Sequence, residues 1–449
     1  MSDLLSVGAS GVRAYQSALT TTSDNIANAA TPGYARRTTT LREVSAASGR
    51  VSQSVSATGN GVTVFGINRA ADAQRDGAVR SAGADLSRTE TSITWLQGIE
   101  TALTGAQLGD RLTSFFNAAK SVAADPTAST PRAALLESSA SVASAFGSTA
   151  RALDQIAADL DTTAESAATS LETLGASLAR INKGLGSAQP NSSAQAQLLD
   201  QRDQILDQLS ALSDIAVTTD ASGRTSVNLG GAAGPAFVTA GGDVGYVTYV
   251  RAPSGTVSFA VHLNGNASSL NPGGGALAGI ADGAQRIGAA RTELNRIATD
   301  FVDGVNAVQA TGRDLDGNPG APLFAVGAVA TDISVALASG RGIAAAVVGG
   351  GARNNGNLAN LEALRTSGGF EADISTLVAT NATALDQRKT VADAQNAIHD
   401  GAISARDQLV GVNLDSEAVD LLRFQQAYQA SSRVIQVARE TFQTILDIR

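Results

Sequence analysis

Across 449 residues there is not one cysteine. That absence removes disulfides, thiolate metal sites and thiol nucleophiles together, and it leaves the redox compartment unread. Aromatic residues are nearly as scarce, 4% of the chain with a single tryptophan, Trp95. Alanine, glycine, serine and threonine take their place, so packing through close helix contacts is expected rather than through bulky anchors. Clustered basic charge is missing as well. The net charge is −9, and the densest basic group, Arg36, Arg37 and Arg42, reads as a solvated loop. Neither nucleic acid nor an anionic membrane surface is therefore an expected partner. No run approaches the roughly 18 uninterrupted apolar residues of a membrane helix. The opening "MSDLLSVGASGVRAY" carries an acid where a secretory signal carries bases. No cleavable signal peptide is expected, and passage out of the cytoplasm would need a route without one.

What is present is helical periodicity. The length allows roughly two to four domains and a sizeable core. Read at a seven-residue step, Leu5, Val12, Leu19 and Ile26 fall on one stripe of the first segment, with Gly8, Tyr15, Thr22 and Ala29 three residues on from each. The last segment repeats the arrangement with Leu421, Tyr428, Ile435 and Phe442, accompanied by Phe424, Ser431, Ala438 and Ile445. Both patterns predict coiled-coil helices with one apolar seam. For the C-terminal helix, Asp415 is the expected N-cap, Glu417 suits the positive helix end, and Leu414 is placed to staple onto Val419.

Between the ends, Leu153, Leu160, Ala167, Leu174 and Ile181 recur every seven residues, and Ala157, Ala164, Leu171, Leu178 and Leu185 form a second row four residues on. That spacing predicts a bundle or a long antiparallel pair. Further helices are predicted over 70–103, 108–124, 131–146, 193–213, 277–310, 357–366 and 374–409. From Asp214 the character changes to short β-prone runs, "AVTTD", "RTSVNL", "YVTYVR" and "TVSFAVHL", separated by turn signals at 220–223 and 253–255. A second β-prone patch lies within 322–337. The fold class that follows is mainly α with an inserted β domain: terminal coiled-coil helices, a long helical bundle and an antiparallel β tip. The expected domains are 1–40 with 405–449 (terminal coiled coil), 41–213 with 280–310 and 354–404 (bundle), and 214–279 with 311–353 (β domain).

A catalytic constellation is not found. His262 and His399 lie in different regions without paired ligand spacing. "GGGARNNGN" (349–357) lacks the lysine and the strand-to-helix setting of a phosphate loop. "DLDGN" (314–318) opens like a calcium loop but lacks its terminal glutamate, so a turn rich in Asp, Gly and Asn is the better reading. The carboxylates on the helices read as solvated faces. No metal, no cofactor and no enzymatic activity are expected.

The stretch "SDNIANAATPGY" remains. The residue before Pro32 is biased away from helix, so the first helix is expected to end near Asn28 or Ala29. Pro32 and Gly33 suit the central positions of a type II turn, with Tyr34 leaving it at a fixed angle. The set Ala27, Asn28, Thr31, Pro32, Gly33 and Tyr34 resembles the signature of bacterial flagellar rod, hook and hook-associated proteins. Residues 411–449 are similar almost throughout to the C-terminal helix of that superfamily. Two interior stretches, "LLDQRDQILDQL" (198–209) and "VNAVQATGRDLDGN" (305–318), resemble its hook-associated members that join hook to filament. The alternative is a hook or distal rod subunit, which shares the motif at 27–34 but is not expected to contain the first of those stretches.

The resemblance implies a structural subunit of the flagellum, secreted through the flagellar type III system to an extracellular position at the hook–filament junction. It implies self-assembly into a ring or helical layer, with the hook protein and the second junction protein, hook-associated protein 3, as neighbours. An export chaperone would shield the C-terminal stripe beforehand. In the free chain, terminal helices without a partner surface are expected to be poorly ordered.

Overall fold

The computed structural model describes residues 2–44, 61–252 and 254–447. Helix α1 (Ser2–Ala27) opens the chain and a long α9 (Leu414–Asp447) closes it. The two lie side by side and antiparallel, so that Gly8 meets Ile435 and Asn25 meets Glu417. After α1 a turn leads into β1 (Arg37–Glu43), paired antiparallel with β2 (Val62–Arg69). This hairpin falls in a segment expected to belong to the helical bundle. Its first strand, "RTTTLRE", has one aliphatic residue, so hydrophobic alternation is nearly silent there.

The bundle proper contains α2 (Ala73–Gly105), α3 (Leu108–Ala124), α4 (Ser129–Ser187), α5 (Ser193–Leu212), α6 (Gly275–Thr311), α7 (Gly356–Gly368) and α8 (Phe370–Val410). Asp72 caps α2 by accepting from the N–H groups of Gln74 and Arg75, and Ser192 caps α5 through the N–H of Gln195. The stretches 131–146 and 150–185 are one continuous helix, α4, whose two heptad rows are buried except for a half-buried Leu174. Pro131 is harmless there because it occupies the first turn.

Two buried polar side chains fix α4 near its ends. Arg132 donates to the carbonyls of Pro126, Gly340 and Ile343 at 2.6, 2.9 and 2.8 Å. Asn182 donates to Thr225 O at 2.8 Å and accepts from its N–H at 2.9 Å. Near the Arg132 end, Phe115, Phe116, Phe301, Phe324 and Phe370 form an aromatic knot with ring centroids 5.1 to 6.4 Å apart. Bulky anchors thus do exist, concentrated at one end. Between α2 and α6 a small residue faces a large one. A Cβ built on Gly283 of α6 would lie 2.4 Å from the Trp95 ring of α2.

Between α5 and α6 the chain forms two three-stranded antiparallel sheets, β3 (Ile215–Thr219), β4 (Thr225–Leu229) and β5 (Ala236–Val238), then β6 (Tyr246–Arg251), β7 (Val257–Leu263) and β8 (Asn266–Leu270). The turn at 220–223 closes on Asp220, which accepts from the N–H groups of Ser222 and Arg224. Pro253, in the second turn signal, lies outside the described residues. The excursion leaves and re-enters the bundle at one place, where Asp214 N–H bonds Gly274 O and Gly273 N–H bonds Asp214 Oδ1. The second β-prone patch, β9 (Phe324–Val326) and β10 (Ile333–Val335), pairs only with itself among the described strands. It lies on α4 and α6, because Phe324 belongs to the aromatic knot. The two β-prone segments therefore form separate sheets.

Candidate functional site

The motif after α1 is a turn held by its own backbone. Asn28 N–H and Nδ2 both donate to Asp24 O, ending the helix. Tyr34 N–H then donates to Thr31 O at 3.2 Å across Pro32 and Gly33, with Gly33 at φ 77°. That is the glycine-demanding position of a type II turn. Ala27, Thr31, Pro32 and Gly33 are exposed, while Asn28 and Tyr34 are half-buried. Gln204 of α5 donates to Pro32 O at 2.8 Å, so the turn rests on the bundle.

Beneath the turn lies a polar centre that composition does not announce. Asn25, 1% exposed, donates to Arg37 O and Glu417 Oε2 and accepts from Arg37 N–H and the Tyr34 hydroxyl, all within 3.0 Å. Every hydrogen-bonding position of that amide is used. Burial, the leading cause, lifts the Tyr34 hydroxyl above its ordinary pKa. Glu417, also 1% exposed, takes Arg36 Nε at 2.6 Å. It ties α9 to this centre while lying, as expected, in the first turn of that helix.

Arg37 is buried as well, so the solvated reading of the basic group fails there. Its guanidinium lies 4.7 Å from the Tyr34 ring centroid and donates to Asp200 Oδ2 at 2.6 Å. Arg42 is exposed, over the Phe65 ring. Asp200 begins a ladder of alternating charge. Its Oδ1 takes Arg69 at 2.6 Å, and Arg69 reaches Asp203 at 2.8 Å. Asp203 pairs with Arg202 at 2.7 Å and faces Arg80 at 3.5 Å. Arg80 in turn bonds Asp207 at 3.0 Å, and Asp207 takes Arg406 of α8 at 3.2 Å. Asp200 and Asp203 are buried, not solvated. Steps of three and four place all three aspartates on one face of α5. That spacing is the signal in "LLDQRDQILDQL" by which the ladder is recognisable.

The seam between α1 and α9 is rotated from the aliphatic stripe. Leu5, Val12, Leu19 and Ile26 are half-buried, and the buried line runs through Gly8, Gly11, Ala14, Ala18, Thr21, Thr22 and Asn25. On α9, Leu421, Phe424, Tyr428 and Ile435 are half-buried, with Phe424 6.5 Å from the Tyr15 ring. Phe442 is 52% exposed, and the side chain of Ile445 lies outside the described residues. Asn413 rather than Asp415 caps α9, accepting from the N–H groups of Asp415 and Ser416. Leu414 and Val419 are both exposed and form no staple.

The other candidates have local roles. His262 stacks on Tyr246 at 4.7 Å and bonds Thr248. Asp314 accepts from the N–H groups of Asp316 and Asn318 within its own loop. Asn354 folds the glycine-rich loop by accepting from Val347 and Gly356.

Comparison with known proteins assigns these features. Residues 5–34 match the family model of the flagella basal body rod protein, and residues 408–448 match that of the flagellar basal body rod FlgEFG protein C-terminal region. The chain is thus of the flagellar rod and hook class at both ends. Residues 96–324, just over half of the chain, match the flagellar hook-associated protein FlgK helical domain. The chain belongs to that family. Flagellar hook-associated protein 1 of Salmonella typhimurium is 26% identical over 348 residues, covering 73% of this chain and 60% of its own length. The Bacillus subtilis protein of the same name is 23% identical and covers 97% and 96%. This chain therefore aligns with less than two thirds of the Salmonella relative. In fold it is similar to the flagellar hook junction protein FlgK from Burkholderia pseudomallei, with a TM-score of 0.50 and 24% identity over 56% of this chain and 47% of that one.

Proposed function

We propose that this chain is the structural subunit joining the flagellar hook to the filament, a mechanical role without catalysis. The helical-domain match over residues 96–324 carries the reading. On it, copies assemble into a ring or helical layer between the hook protein and hook-associated protein 3. Residues 1–40 and 405–449 form the inner layer, and the turn from Ala27 to Tyr34 sets where the chain leaves it. The apolar face of α9 turned away from α1, with exposed Val419, Leu422 and Val437, supplies surface for neighbouring copies and, beforehand, for an export chaperone. Export through the flagellar type III apparatus belongs to the same proposal, as does an extracellular position. Deleting the gene is expected to leave hooks without filaments and flagellin shed into the medium, scored by electron microscopy. Loss of the hooks themselves would identify a hook or rod subunit instead.

A further inference from the structure

Three helices of the bundle leave a groove between them. On α6 it is lined at 286, 289, 290 and 293, and on α8 at 373, 376, 377 and 380. Spacings of three and four make each set one face of its helix. Helix α2 supplies the floor through Ile99 and Leu103, both buried, and with the half-buried Leu377 they make the middle of the groove apolar. The cavity holds about 400 Å³, within the ~300–1,000 Å³ of small-molecule sites. Its charges are sorted by end. Helices α6 and α8 run antiparallel here, since Asp282 reaches Arg388 while Arg296 reaches Asp373. At the first end Asp282 is shared between Arg88 at 3.1 Å and Arg388 at 3.5 Å. Arg286, one turn further along α6 and half-buried, has no ion pair among the described residues. At the second end Arg296 alone serves Glu293, Asp300 and Asp373, at 2.6, 2.7 and 2.6 Å. Guanidiniums are thus in excess at one end and carboxylates at the other, with Arg286 and Glu293 about 10 Å apart along the helix axis.

We propose that this groove binds a free linear zwitterion, an ω-amino acid. Its carboxylate lies against Arg286, its ammonium against Glu293 and Asp373, and its methylene chain over Ile99, Leu103 and Leu377. Arg286 has no described partner to give up, so an incoming carboxylate displaces no ion pair. Arg296 cannot neutralise three carboxylates, so an ammonium is favoured beside them. The apolar middle is covered only by a chain without polar groups. An apolar acid answers one end of the groove and an apolar amine the other, whereas the zwitterion answers both. This inference goes beyond the proposed place of the protein in the flagellum and does not depend on it.

Titration calorimetry on the full chain with ω-aminooctanoate, octanoate and octylamine reads the two ends separately. ω-Aminooctanoate is expected to bind about fivefold tighter than either single-charge compound, the upper range for a partly exposed ion pair. Arg286→Gln is expected to weaken ω-aminooctanoate and octanoate and to leave octylamine unchanged. Glu293→Gln is expected to weaken ω-aminooctanoate and octylamine and to leave octanoate unchanged. General damage to the fold cannot produce that crossover, because it would weaken all three compounds together. Ala289→Trp, at an exposed position on the wall of the groove, is expected to abolish binding of all three. No binding, a single-charge compound that binds as tightly as the zwitterion, or charge variants that move all three compounds alike each overturn the proposal. So does Ala289→Trp if it leaves binding intact, or if it changes self-association in sedimentation instead, which would make the groove a contact between copies.

Discussion

Asp76, in the first turn of α2, is half-buried beside the ladder, and its carboxyl pKa is raised by burial first and by the nearby Asp203 second. A carboxyl whose folded pKa exceeds its unfolded one binds its proton more tightly in the folded state, so it favours folding at low pH and loses that contribution as pH rises through the folded value. Asp76→Asn is accordingly expected to be more stable than the parent at neutral pH and indistinguishable from it well below the usual aspartate value of about 3.9. Urea unfolding across that range checks it, and a parent that gains on the variant as pH rises would contradict the sign. Which residues matter was unevenly legible in the sequence. Pro32 and Gly33 act locally, through their own φ angles, so the turn could be read directly. Arg37 could not be, because its partner Asp200 is 163 residues away, and a charge without its partner in view reads as solvated. Asn25 lies inside the motif, but an amide in a helix carries no pattern until its four partners are known.

Helix α9 has two faces, one half-buried against α1 and one exposed. Leu421→Asp places a carboxylate on the first of these. Truncating a fully buried leucine costs about 2 to 5 kcal/mol, and half-burial here makes the loss in the free chain smaller. The variant is expected to fail to restore motility in a deletion strain while the melting of the bundle, followed by Trp95, stays close to the parent. Glu440→Ala, at an exposed position, is expected to swim normally. If Leu421→Asp swims normally too, the α1–α9 seam is not needed for assembly. The long helices were legible because their period repeats over many turns. The seam was not, because the heptad pattern is carried by large aliphatic residues while the close approach is made by small ones. At Gly8 an added Cβ would lie 2.7 Å from Ile435 Cγ1, so the helices meet where there is least side chain.

For the whole molecule, the sheets between α5 and α6 are an excursion whose two ends meet at Asp214 and Gly274. Excising 215–272 and closing the gap with a short glycine link is therefore expected to leave Trp95 emission unchanged. The far half of α4 loses cover in that variant, because Gly175 there packs against Phe237. Hydrogen exchange is expected to accelerate in α4 beyond residue 165 and to hold steady before residue 150; uniform acceleration would show that the sheets support the entire bundle. The helical architecture was legible at this scale. The separate placement of β9–β10 was not, since pairing partners are chosen by packing against helices distant in sequence. One consequence of α4 concerns force. Its 59 residues make a strut about 90 Å long at ~1.5 Å per residue. Arg132 grips backbone carbonyls at one end and Asn182 grips them at the other. A push on the sheets thus enters a single continuous helix whose far end is held beside the aromatic knot.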